Sequence, residues 1–160
     1  RTYHLELPDP DFSCFPKDRY AVLCRFHPNQ ALAGGNRDSD YPQEGIFDLL
    51  QMCDYFITDY SSLALEAAAM DKPTLFYLPD DERYRSENGV NLDLFQAMPH
   101  CTFTAQEDLF RMIDSGAYPM EALQAYKKMY LPQDLGHATE KITELILQDD
   151  RTMKKEAAAC

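Results

Sequence analysis

Apolar residues occur along the chain in short runs and at helix-like spacing, with polar turns between them. Four runs have the β-branched and aromatic content of buried strands, at residues 20–26, 54–58, 74–78 and 102–104. Spacing near 3.6 residues predicts helices over residues 46–52, 61–70, 106–115, 120–130 and 139–148. In the last helix, we expect Ile142, Leu145 and Ile146 to be buried.

The order of these elements predicts an α/β fold. Residues 54–78 form a strand, a helix and a second strand, and such a βαβ unit places its two strands parallel. We therefore expect a Rossmann-like three-layer domain with a mostly parallel sheet and a helical C-terminal extension. Its predicted bounds are 20–148, after a linker at 1–19 and before a frayed or weakly helical tail at 149–160. Residues 29–44 and 79–85 are polar and predict loops.

Composition narrows the classes of function. The formal net charge of −12 over 160 residues disfavours nucleic-acid partners, which need a basic face, and also docking on an anionic membrane. No apolar run approaches the roughly 18 residues of a spanning helix. Because the chain begins at Arg1 without a methionine, we expect it to be the C-terminal part of a longer protein.

Five scattered cysteines predict neither a disulfide framework nor a zinc ribbon, and favour a reducing cytoplasm. Cys24 and Cys53 lie in apolar stretches and are expected to be buried structural thiols. The four histidines lack metal-ligand spacing, so no metal site is predicted. The glycine patterns of dinucleotide-binding folds, P-loops and esterase nucleophile elbows do not occur in the sequence.

The candidate chemistry is concentrated where the strand at 54–58 passes into a helix. Asp59, Ser61 and Ser62 are helix-capping residue types, and two hydroxyls at such a junction suit a phosphate. Glu66 follows Ser62 by about one helical turn and can accept two hydrogen bonds from a diol. The alternative is an ordinary helix cap, which these residue types also favour.

A second candidate element ends the strand at 20–26. Arg25 and His27 would lie on the same side of an extended segment, and Pro28 would end the strand there. Open α/β sheets bind ligands at the carboxyl ends of their strands. The alternative is a solvated arginine followed by a structural histidine at a turn.

Taken together, these motifs resemble a known family. Five elements are similar, in order, to the C-terminal half of the CDP-glycerol glycerophosphotransferase family: Arg25-Phe26-His27-Pro28, 47–50, 54–62, 72–77 and Asp80/Asp81 with Tyr84. That family includes the teichoic acid primases and polymerases, which have the GT-B fold. The similarity is strong over residues 20–89 and looser over the remaining helices.

The resemblance implies roles for individual residues. Arg25, Phe26 and His27, together with Ser61, Ser62 and Glu66, would bind the donor and its phosphates, and His27 would be catalytic. Thr58, Asp59 and Tyr84 would support them. No cofactor is implied, and CDP-glycerol or a similar CDP-alcohol would be the substrate.

The resemblance also implies partners. The acceptor-activating base would lie in an N-terminal GT-B domain outside this chain, so this part alone would not catalyse transfer. The acceptor would be a polymer or lipid-linked, and the full-length protein would work in the cytoplasm, at the inner face of the membrane. Two departures from the family pattern occur, at residues 134–138 and at Asn88-Gly89. A GT-B glycosyltransferase using a nucleotide sugar and a non-catalytic nucleotide-binding module remain alternatives.

Overall fold

A parallel sheet of three strands lies at the centre of the domain. The computed structural model describes residue 12, residues 15–25 and residues 40–158. The strands are β1 (Phe56–Thr58), β2 (Thr74–Tyr77) and β3 (Thr102–Phe103), in that order across the sheet. Phe56 pairs with Thr74 and Phe76 pairs with Thr102, both in parallel register. The predicted parallel βαβ unit is therefore present.

Helices connect the strands and complete the described part of the chain. They are α1 (Ile46–Met52), α2 (Leu63–Ala69), α3 (Asp81–Asn88), α4 (Leu94–Ala97), α5 (Gln106–Ser115), α6 (Met120–Tyr130) and α7 (Ala138–Ala158). The predicted bounds of α1, α5 and α6 are confirmed. Helix α5 ends at Gly116, whose φ of 64° lies in the left-handed region that glycine adopts without strain.

The core forms around the central strand. Leu75 and Phe76 are successive residues of β2 and both are buried, so both faces of the sheet are covered. Helix α2 contributes the buried side chains of Ala64, Ala67 and Ala68, and it packs against α6. Alanine side chains allow the two helices to approach closely. The core also includes Leu78, Met98, Cys101, Leu109 and Leu123.

The described N-terminal residues also pack on this core. Phe15, in the predicted linker, is buried and makes edge-to-face contacts with Tyr20 and Phe110. The Tyr20 hydroxyl donates to Asp114 at 3.0 Å, which ties this segment to α5. Residues before position 20 thus contribute aromatic surface to the domain.

The predicted strand at 20–26 is wrong in its described part. Residues 20–25 form neither strand nor helix, and the side chain of Val22 is 38% exposed. The main chain of Cys24 instead bonds to Asp40: its N–H donates to Asp40 Oδ2 and its carbonyl accepts from the Asp40 N–H.

Cys24 and Cys53 are half-buried, whereas Cys101 is the buried thiol among the described cysteines.

Two further predictions are wrong. The loop predicted at 79–85 is largely α3. Because the sequence of this helix is mostly polar, it has no periodic apolar positions from which a helix could be predicted. In α7, Ile142, Leu145 and Ile146 are 57%, 65% and 63% exposed, although they share one side of the helix. Their amphipathic spacing predicted the helix correctly. The predicted burial is wrong, because none of the described residues covers these side chains.

Candidate functional site

The turn between β1 and α2 carries the two candidate serines. β1 ends at Thr58, and the chain then passes through Asp59 and Tyr60 to the serine pair. Ser61 Oγ accepts a hydrogen bond of 3.2 Å from the N–H of Leu63, so this hydroxyl stabilises the start of the helix. Ser62 occupies the N-cap position, but its side chain makes no capping hydrogen bond and is exposed.

The remaining candidates near this turn differ in their surroundings. Glu66 is exposed in the first turn of α2, four residues after Ser62 and hence on a neighbouring part of the same helix surface. Thr58 is half-buried at the carboxyl end of β1, and Asp59 is exposed. Two serine hydroxyls and a carboxylate thus lie within one turn of helix at the edge where parallel sheets bind ligands.

Arg25 has a different setting from the one predicted. Its Nη1 donates to the carbonyl oxygens of Tyr41 at 3.0 Å and Glu44 at 3.1 Å, so it braces the segment that leads into α1. The guanidinium is exposed and does not follow a strand. Phe26 and His27 lie outside the described residues, and their predicted roles stay predictions.

The structure brings Tyr84, predicted as a supporting residue, directly onto the turn. Its ring stacks on that of Tyr60, with centroids 4.0 Å apart and planes inclined by 9°. The Tyr60 hydroxyl donates a short hydrogen bond to Asp81, in the first turn of the same helix as Tyr84. Tyr60 therefore anchors the turn to α3.

Charged residues extend this contact to α4. The Nε of Arg85 donates to both carboxylate oxygens of Asp81, at 2.8 and 2.7 Å. Its Nη2 reaches Asp93 at 3.2 Å, and Asp93 caps α4 by accepting from the N–H of Phe95. Beside them, within the described part of the chain, Asp80 Oδ2 is buried without a hydrogen-bond partner.

The protonation states follow from these contacts. Burial, and then the hydrogen bond to Asp81, raise the pKa of the Tyr60 phenol above its ordinary value. Burial alone would raise the pKa of Asp81, but the hydrogen bonds from Tyr60 and Arg85 hold it below the usual value. At neutral pH, Tyr60 is therefore a neutral donor and Asp81 an ionised acceptor.

The sequence interpretation did not identify Tyr60, Asp81 or Arg85 as members of a network. The i, i+4 spacing of Asp81 and Arg85 was the available signal, because it places opposite charges on one side of a helix. Acidic residues in the first turn of α3 and Arg85 in its last turn also fit a helix. The contact with Tyr60 is long-range and had no local signal.

The turn is anchored to α3 through Tyr60, and its exposed serine hydroxyls can donate hydrogen bonds to an anionic ligand. The described residues include no group of three histidine, cysteine or acidic side chains placed to hold a metal ion. Among the helices in the described range, none has the length and hydropathy that crossing a bilayer requires. The turn itself offers the hydroxyls of Ser61 and Ser62, with the carboxylate of Glu66 nearby.

Comparison with known proteins identifies the class. The model of the family "CDP-Glycerol:Poly(glycerophosphate) glycerophosphotransferase" matches residues 5–148, and the chain belongs to this family. The family is one of transferases, so the predicted enzyme class and the resemblance on which it rested are both confirmed.

Individual relatives are teichoic acid enzymes. The chain is 30% identical over 139 residues to the teichoic acid glycerol-phosphate primase of Staphylococcus aureus, covering 83% of this chain and 35% of that protein. It is 24% identical over 156 residues to the teichoic acid poly(ribitol-phosphate) polymerase of Bacillus spizizenii, covering 87% and 25% respectively. The chain thus spans about a third or less of these relatives' length.

A solved structure supports the fold. The wall teichoic acid polymerase TagF aligns with 73% of this chain and 29% of its own, with a TM-score of 0.53 and 24% identity. At that identity the likeness concerns the fold alone. The predicted α/β class, with a mostly parallel sheet of the kind found in half of a GT-B enzyme, is confirmed.

Proposed function

We propose that this chain is the donor-binding part of a glycerophosphotransferase that uses CDP-glycerol or a related CDP-polyol. The full-length enzyme would transfer the alcohol phosphate to a polymer or lipid-linked acceptor during synthesis of a teichoic-acid-like polymer. Family membership over residues 5–148 supports the reaction class. The observation that carries the donor role is the exposed serine pair at the carboxyl end of β1, with Glu66 one turn away.

Each residue has a chemical role in this proposal. Hydroxyls of Ser61 and Ser62 donate to the diphosphate, and stabilise it as negative charge develops on the departing nucleotide. The carboxylate of Glu66 accepts hydrogen bonds from a diol of the donor. Arg25 and His27 supply further donors, and a protonated His27 would stabilise the leaving diphosphate as the catalytic residue.

Transfer itself requires more than this chain. The residue that activates the acceptor hydroxyl belongs, in this proposal, to an N-terminal domain outside the 160 residues, in line with the partial coverage of the relatives. We place the full-length enzyme in the cytoplasm at the inner face of the membrane, where a lipid-linked acceptor would be reached. A net charge of −12 makes nucleic acid an unsuitable partner.

Calorimetric titration of the chain with CDP-glycerol, CDP-ribitol, CDP and UDP-N-acetylglucosamine tests the donor assignment. We expect a CDP-alcohol to bind most tightly. Tighter binding of the UDP-sugar would instead indicate a glycosyltransferase of the GT-B class. Absence of binding by all four ligands would contradict the proposal.

Variants then test the named residues. Ser62→Ala and His27→Ala should each weaken binding of the CDP-alcohol by about tenfold, the loss expected for one hydrogen bond to a charged group. Their melting temperatures should remain close to that of the unmodified chain. Ser115→Ala, at an exposed serine of α5, is the control and should bind as the unmodified chain does. A variant that unfolds would assign its residue a structural role.

A further inference from the structure

The contact between Tyr60 and Tyr84 joins the serine turn to a helix that the sequence did not predict. Tyr60 immediately precedes Ser61, and its ring lies flat on Tyr84 of α3 at 4.0 Å. Its hydroxyl bonds to Asp81, one helical turn from Tyr84. The ring and the hydroxyl of Tyr60 thus both hold its side chain against α3.

The acceptor of that hydroxyl is itself held in place. The Asp81 carboxylate accepts from Arg85 Nε at both of its oxygens and from the Tyr60 hydroxyl, and its side chain is only 15% exposed. Arg85 is tied in turn to Asp93. A carboxylate fixed from two sides gives Tyr60 a single favourable position, which a flexible surface acid would not do.

We propose that Tyr60, Tyr84, Asp81 and Arg85 are positioning residues that hold the serine turn in the geometry that binds the donor diphosphate. This inference rests on the proposed function, since it concerns the same site. None of the four need touch the donor. Their effect is to fix the backbone next to Ser61 before the ligand arrives, so that less ordering is required on binding.

Different variants test the contribution of the tyrosine stack and that of the Tyr60 hydroxyl. Tyr84→Ala removes the stack, whereas Tyr84→Phe keeps a ring at the same position. Tyr60→Phe keeps the stack and removes the bond to Asp81. A control is Tyr130→Ala, which removes a ring from another aromatic pair, that of Tyr126 and Tyr130, on α6.

Calorimetric titration of the full chain with CDP-glycerol gives the first measurement. Tyr84→Ala should raise the Kd by up to about tenfold, while Tyr84→Phe should stay within about threefold of the unmodified chain. Tyr60→Phe should raise the Kd by about threefold to tenfold, as expected for losing one hydrogen bond. Tyr130→Ala should leave the Kd unchanged.

Backbone ¹⁵N relaxation gives a second, ligand-independent measurement. The heteronuclear NOE of Ser61 and Ser62 should fall in Tyr84→Ala, because the turn becomes more mobile, whereas Tyr130→Ala should leave it unchanged. If the unmodified chain binds no donor, the proposed function fails, and these relaxation data alone decide whether the turn depends on the stack. Unchanged relaxation in Tyr84→Ala, or an unchanged Kd in a chain that binds donor, would overturn the positioning role. If Tyr84→Ala does not fold, Tyr60→Phe decides by the same two measurements.

Discussion

The hydroxyl of Tyr118 makes two hydrogen bonds to the main chain of Thr74, accepting from its N–H and donating to its carbonyl, each at 3.0 Å. Thr74 is the first residue of β2 and is buried. Strand β3 pairs with β2 at Phe76 and Tyr77 but does not reach Thr74. The tyrosine hydroxyl therefore satisfies main-chain groups that the short β3 leaves unpaired.

Replacing this hydroxyl should destabilise the domain. Tyr118→Phe keeps the ring but leaves the buried N–H and C=O of Thr74 without this partner, at an expected cost of about 1–3 kcal/mol in free energy of unfolding. Urea denaturation followed by circular dichroism measures the difference. Tyr130→Phe, at a partly exposed ring, is the matched control and should stay within about 0.5 kcal/mol. Equal stabilities of the two variants would contradict the role assigned to Tyr118.

Stability should fall at alkaline pH. Burial raises the pKa of Tyr60, Tyr118 and Tyr126 above the ordinary tyrosine value of 10.0. The folded state therefore favours neutral phenols, and their contribution is fully present below pH 10. Above it, the unfolded chain ionises first, and the free energy of unfolding should decrease by up to about 1.4 kcal/mol per pH unit for each such tyrosine.

Urea titrations from pH 8 to pH 11 would measure this decrease. Because Tyr118→Phe removes one of the three phenols, its stability should decline less steeply with pH than that of the unmodified chain. Parallel curves for the two proteins would show that Tyr118 does not contribute to the alkaline limb.

Replacing a buried leucine and an exposed leucine should have different effects on stability. Leu123 is fully buried in α6, so Leu123→Ala should cost about 2–5 kcal/mol by leaving a cavity. Leu145 is 65% exposed on α7, and Leu145→Ala should change stability by less than about 0.5 kcal/mol. Thermal and urea unfolding of both variants checks the contrast. A large loss for Leu145→Ala would mean that this side of α7 is covered in solution.

Thiol reactivity should follow burial. Cys101 is fully buried, and burial raises its pKa to about 11, so little of it is thiolate at neutral pH. Cys53 is half-buried. Iodoacetamide at pH 8 should therefore modify Cys53 long before Cys101, as peptide mass spectrometry would show. Unfolding in urea should abolish the difference, and early modification of Cys101 in the folded chain would contradict its burial.

Local signals were sufficient for much of the fold. The bounds of α5 and α6 followed from apolar spacing and, for α5, from the glycine at its end, because these signals act within a few residues. The run at 74–78 predicted a buried strand, which the burial of Leu75 and Phe76 confirms. The serine turn followed from the abrupt change between apolar and capping residues after Thr58.

Features that depend on distant partners were missed. The apolar run at 20–26 predicted a strand, but in its described part the main chain of Cys24 bonds to Asp40 instead of to a strand. The spacing of apolar residues cannot reveal such a partner. Helix α3 has no buried residue and hence no apolar stripe to detect. The stack of Tyr60 on Tyr84 joins two elements across the fold, so neither residue's neighbours in sequence predict it.

Helix α3 has a consequence for local motion. Since no residue of α3 is buried, its attachment relies on the tyrosine stack and the bonds of Asp81 and Arg85, and opening it exposes little apolar surface. Its amides should exchange with deuterium sooner than those of α2 and α6, which carry buried side chains. Each such opening would also remove the contacts of Tyr60 with Tyr84 and Asp81, so the serine turn would be held less firmly while α3 is open.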